Sequence, residues 1–99
     1  MSSFRRWEDH LDEVLKDPVR AAAYLDACLE GGDPDAFLIA LRDVARASGG
    51  IAKLAENASL NREHLYRMLS ENGNPELRSL EALLDALGLR LSITLKEAG

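Results

Sequence analysis

Ninety-nine residues, 46% of them apolar and 29% charged, suffice for one domain with a single core and exclude a second. A formal charge of −5 excludes indiscriminate nucleic-acid binding, whose sequence-independent affinity comes from neutralised phosphates, and a lone cysteine, Cys28, excludes an internal disulfide. No apolar run reaches bilayer-spanning length, and the start MSSFRRWEDHL lacks the unbroken apolar stretch of a secretory signal, so a cytoplasmic chain without a membrane partner is expected.

The first candidate element, residues 4–16, places Trp7, Leu11, Val14 and Leu15 on one side at i, i+4, i+7 and i+8, which predicts an amphipathic helix or arm. Asp17-Pro18 then pairs a capping carboxylate with proline at the first helical position, and Ala21, Leu25, Cys28 and Leu29 give the following helix its apolar face before Gly31-Gly32 ends it. Asp33-Pro34 repeats the device for a helix running to about Ser48, with Phe37, Leu38, Leu41, Val44 and Ala45 inward and Gly49-Gly50 as its break. Ile51, Leu54, Ala55 and Ala58 mark a helix of barely two turns. Asn61 opens the next, which buries Leu65, Met68 and Leu69 and stops before Gly73 and Pro75. Leu80, Leu83, Leu84 and Leu87 form the last helix, closed by Gly88. Beyond it Leu89, Leu91, Ile93 and Leu95 alternate with Arg90, Ser92, Thr94 and Lys96, a half-buried strand with no partner strand elsewhere in the chain. Such a strand pairs with its own copy in a two-fold dimer, pairs with another protein's sheet edge, or stays an unpaired tail; the homodimer is the working expectation.

Charge is unevenly spread. Residues 1–43 carry ten acids against Arg5, Arg6, Lys16, Arg20 and Arg42, whereas residues 44–99 balance seven acids with Arg46, Lys53, Arg62, Arg67, Arg78, Arg90 and Lys96. An acidic front half suits a basic partner, and a balanced rear half tolerates DNA. The two short helices within 51–70, joined by a turn of about three residues, have the spacing of a helix-turn-helix, a spacing also found in helical hairpins of ordinary bundles.

The run GGIAKLAENASLNREHLYRMLSENGNPELRSLEALLDALGLRL, residues 49–91, carries a more specific pattern. Its Gly49-Gly50, Leu54-Ala55, Arg62-Glu63-His64-Leu65-Tyr66, Leu69-Ser70, Gly73-Asn74-Pro75 and Ala86-Leu87-Gly88 resemble the Cro/repressor (Xre) type of helix-turn-helix, and more narrowly the HigA-like addiction-module antidote proteins of bacterial toxin-antitoxin operons. The upstream AAYLDACLEGGDPDAFLIALRDVARASGG fits the front half of the same family, so the resemblance covers nearly the whole chain. Two departures stand out: Ser59 occupies the turn position where glycine is usual, so a slight remodelling of the turn is expected, and Gly50-Ile51 replaces a Thr-Gln that in the superfamily supplies a customary DNA contact.

The resemblance implies a bacterial antitoxin that binds a small basic toxin of the RelE/ParE class, often an mRNA-cleaving ribonuclease, and represses its own operon as a dimer. The expected architecture is a single mainly α domain over 1–99: an N-terminal amphipathic arm (1–16), a five-helix domain (17–88) with the helix-turn-helix at 51–70, and one C-terminal β-strand (89–97) paired across a dimer through Leu89, Leu91, Ile93 and Leu95. Arg62, Glu63, His64, Tyr66 and Arg67 are the candidate DNA readers, with Lys53, Asn61 and Asn74 beside them at the backbone. Glu63 accepts from cytosine or simply favours its helix's positive end, and Tyr66 contacts a phosphate or only packs. For the toxin, Trp7, Leu11, Leu15, Tyr24 and Leu25 are candidate anchors among Glu8, Asp9, Asp12, Glu13 and Asp26, with the alternative that Trp7 staples the arm to the core. His10 and His64 lie in separate segments without ligands at metal spacing, and no nucleophile elbow, phosphate loop or zinc pattern occurs, so no catalytic residue, metal or cofactor is expected. The competing reading is a dimeric helix-turn-helix regulator or interaction module with no toxin partner.

Overall fold

The structure, a computed structural model, describes residues 3–70 and 73–97. Within them lie six helices: α1 (Ser3–Leu15), α2 (Pro18–Glu30), α3 (Pro34–Ala47), α4 (Ile51–Asn57), α5 (Arg62–Met68) and α6 (Leu77–Ala86). Local chemistry sets most boundaries. Asp17 and Asp33 are extended residues whose carboxylates accept from the Val19 and Asp35 N–H groups at 3.0 Å, with Pro18 and Pro34 just inside each helix. Asn61 caps α5 by accepting from the His64 N–H at 3.1 Å.

Three helices end in one way, a paired return of N–H groups onto the last turn. Gly50, Leu60 and Leu89 donate to the Ala45, Ala55 and Leu84 carbonyls at 3.0, 2.8 and 2.8 Å, while Gly49, Ser59 and Gly88 donate to Arg46, Glu56 and Asp85 at 3.2, 3.2 and 2.9 Å. The inner residue of each pair has positive φ, and in the α4–α5 turn that residue is Ser59, at φ 57. Serine adopts the left-handed backbone here, and Leu60 just beyond packs on the core. Gly50, at φ 101 and ψ 164, sits in a region closed to side chains and opens α4 without a side-chain cap.

α3 is the central element. It packs on α1, α2 and α4, and α4 in turn packs on α5 and α6. The largest fully buried side chains, Leu41, Val44, Leu65, Leu69 and Leu83, come from α3, from α5 with its C-cap, and from α6, so the inner stripe of α5 is part of the core. On the opposite flank Arg46 of α3 bonds Asp12 of α1 at 2.8 Å and Asp43 at 3.2 Å, and Asp43 accepts from the Tyr24 hydroxyl of α2 at 2.8 Å. That chain ties the first three helices together. Burial would lower the Arg46 pKa, but the hydrogen bond to Asp12, then the charges of Asp12, Asp43 and Glu8, raise it overall.

One expectation is corrected. The segment expected as an arm is a full helix packed against α2 and α3, because its stripe of Leu11 and Leu15 is buried in the common core; the helix count is six among the described residues. Residues 89–97 have no ladder partner among the described residues of the single chain, and a strand paired across a dimer needs a second copy to form.

Candidate functional site

The outward side of α5 carries Arg62, Glu63, Tyr66 and Arg67, all exposed, on a helix whose other side is Leu65 and Met68. Glu63 lies in the first turn and Arg67 in the last, each at the end where the helix dipole favours its charge. His64 is half-buried, with Nε2 3.5 Å from the Ser79 hydroxyl oxygen of α6. His64, Arg67 and Asn74 border one shallow depression together with Met68 and Pro75, so the structure gathers these three across α5 and the following loop. Tyr66 stands apart, bordering another depression beside Arg42, Ile51 and Ser70. Lys53 lies exposed on α4 with its stem near Gly49, and Asn61 uses its side chain on the helix cap.

Two residues that hold this surface were not singled out from the sequence. Arg42 of α3 donates from Nε to the Leu69 carbonyl at 2.8 Å, satisfying an orphan acceptor at the C-terminal end of α5 and placing a cation where the dipole is negative. Nothing in the spacing of residues 42 and 69 signals that bond. Ser79 is the other, through His64. Gly73 plays a steric part: a Cβ there would collide with the Met68 carbonyl oxygen and crowd those of Ser70 and Arg67 at 2.9 and 3.0 Å, so only glycine lets the chain turn this close under α5.

The front-half candidates fare differently. Leu11, Leu15 and Leu25 are buried and hold α1 and α2 in the core, so the anchor role expected of them is not open to a surface contact; a helical stripe reads alike whether it faces a core or a partner. Tyr24 is half-buried and committed to Asp43. Burial first, then the bond to Asp43 and that carboxylate's charge, push the Tyr24 hydroxyl up to about 12. Trp7 is 58% exposed, its ring tilted toward His10 with centroids 6.4 Å apart, and Asp9 and Glu13 are exposed on the same helix. Of the tail residues, Leu89 packs on the core, whereas Ile93 and Leu95 are 100% and 96% exposed.

Among the described residues no helix is long and apolar enough to cross a membrane, and no group of three or more His, Cys, Asp or Glu is placed to hold a metal ion. What these elements define is a small helical domain presenting one polar helix face and one apolar tail. The chain belongs to the family of probable addiction module antidote proteins, whose family model matches residues 8–95. It is also similar to an uncharacterized protein of Haemophilus influenzae Rd, 34% identical over 70 residues that make up 71% of each chain. No solved structure matches.

Proposed function

We propose that this protein is the antitoxin of a bacterial type II toxin-antitoxin module: it binds a small basic toxin of the RelE/ParE class directly and represses its own operon through a helix-turn-helix of the Xre type formed by α4 and α5. The observation that carries the DNA part is the division of α5 into a core stripe and an exposed polar face, with both ends of the helix anchored, by Asn61 at one end and Arg42 at the other. In that role α5 is the reading helix, Arg62, Glu63 and Arg67 meet base edges or phosphates, and His64, Tyr66, Asn61, Lys53 and Asn74 position the backbone. The toxin part rests on family membership and on the acidic front half, where Trp7 is the open aromatic anchor among Glu8, Asp9 and Glu13. The tails pair between two copies, which would set two reading helices on half-sites about 34 Å apart.

The test is binding to a duplex from upstream of the coding sequence, read by fluorescence anisotropy across a salt series, beside an affinity pull-down washed at high salt. With Lys53, Arg62 and Arg67 on phosphates in both copies, log affinity should fall against log salt with a slope of about −5. Arg67→Ala should weaken binding about ten-fold or more while the helical circular dichroism stays unchanged. Unchanged affinity removes Arg67 from the interface. A small basic protein retained at high salt supports the antitoxin role, whereas salt-labile DNA with no protein retained leaves a plain repressor.

A further inference from the structure

Resting on the dimer proposed above, we infer that the two tails pair antiparallel in one register, centred on Ser92, and that each tail lays the partner's Leu95 over the groove at the other's base. Directly opposed residues in an antiparallel pair share a face, so the odd-numbered apolar residues must oppose odd-numbered ones, or each would face a polar neighbour. A pair centred on Ile93 sets Arg90 against the partner's Lys96 twice, like charge on like charge. A pair centred on Thr94 sets Leu91 against the partner's Glu97 and Leu89 against Gly99, and one centred on Leu91 sets Leu95 against the partner's Leu87, the C-cap of α6 with non-extended backbone. Centred on Ser92, the pair sets Leu89 against Leu95 and Leu91 against Ile93 on both sides of the axis, with Arg90 facing Thr94. Every apolar residue of the tail then meets another, and no like charges are opposed.

The surface beneath supplies the second constraint. A two-stranded ribbon alone is marginal in water and needs an apolar floor. The base of each tail borders a groove of about 100 Å³ in which Leu29, Phe37, Leu89 and Leu91 stand together with the polar Asp26 and Arg90. Leu29 and Phe37 also border an apolar hollow of about 330 Å³ that reaches Pro34, Pro75 and Leu80. In the Ser92-centred register the partner's Leu95 opposes Leu89, whose own side chain already packs on the core, and so arrives at this groove. Ile93 and Leu95, which find no cover in their own chain, are covered by the second copy.

The experiment uses the full chain with Cys28→Ser, carrying either Ser92→Cys or Ile93→Cys, oxidised in a glutathione pair and read by non-reducing electrophoresis and intact mass, with sedimentation of the reduced samples alongside. Ser92→Cys should cross-link into a dimer rapidly. Ile93→Cys, whose two copies lie diagonally at about 7–8 Å, should do so at least about ten-fold more slowly. Faster linkage through Ile93→Cys overturns the register. A dimer in sedimentation that Ser92→Cys fails to link also overturns it, whereas a monomer at all concentrations overturns the dimer itself. Separately, Leu29→Glu should weaken dimerisation about ten-fold without changing the helical signal, because it sets a carboxylate against the partner's Leu95 where an apolar side chain stood; undiminished dimerisation overturns the seating of Leu95.

Discussion

Replacing Ser59 with glycine should stabilise the protein. The residue holds φ 57 in the turn between α4 and α5, where its N–H bonds the Glu56 carbonyl and the next N–H bonds Ala55, so the left-handed conformation is fixed by both hydrogen bonds. A side chain there costs about 1–2 kcal/mol through the clash of Cβ with its own carbonyl. Glycine removes that clash but gives back about 0.5–1 kcal/mol through the greater freedom of the unfolded chain. The central net gain is about 0.75 kcal/mol, which for a domain of this size raises the melting temperature by about 3–6 °C. Thermal and urea unfolding followed by circular dichroism at 222 nm read it directly, and the urea slope should not change. Ser59→Ala keeps Cβ and should stay near the parent, while Ser59→Val should lose stability. A glycine variant that melts at or below the parent temperature would refute the reasoning, since the left-handed backbone would then carry no strain for glycine to relieve.

Other outcomes follow from the same geometry. Gly73→Ala should cost about 2 kcal/mol or more in urea, because its Cβ meets backbone carbonyls at the end of α5 that cannot swing aside. Arg42→Ala should lose about 1 kcal/mol with its bond to the Leu69 carbonyl, and faster hydrogen exchange at the C-terminal end of α5 than in α3 would show where the loss falls. Tyr24 is held at about 12 against an ordinary 10, so its folded-state pKa is raised; the stability it contributes is whole below pH 10 and is lost as pH rises through 12. Tyr24→Phe should therefore flatten the decline of the urea midpoint between those pH values, and an unchanged decline would assign the loss elsewhere.

Most helices were legible because their signals are local: Asp-Pro twice, Asn61 ahead of α5, and glycines at helix ends read directly as caps. The stripe of Leu65, Met68 and Leu69 was equally plain, and its burial leaves Arg62, Glu63 and Arg67 outward. What failed to show were properties set by distant residues. The periodicity of residues 4–16 fixes an amphipathic helix but not what covers it, so Leu11 and Leu15, core residues in the structure, read as well for partner anchors. The bond from Arg42 to Leu69 joins α3 to the far end of α5 and leaves no pattern in the chain. The alternation in the tail is a clear strand signal, yet a strand exists only with its neighbour, and a single chain cannot supply one here.

The connections between helices bear on kinetics. Two residues separate α1 from α2, three separate α2 from α3 and α3 from α4, four separate α4 from α5, and the longest link, between α5 and α6, has eight. Nearly every helix thus meets a partner that is close along the chain, so little loop entropy must be lost before contacts form, and helical domains of low contact order fold in microseconds to milliseconds. A chain stripped from a tight complex by denaturant should accordingly recover its fold on dilution faster than manual mixing can follow. The slow step in rebuilding a dimer would then be the encounter of two tails, a second-order process whose rate rises with protein concentration.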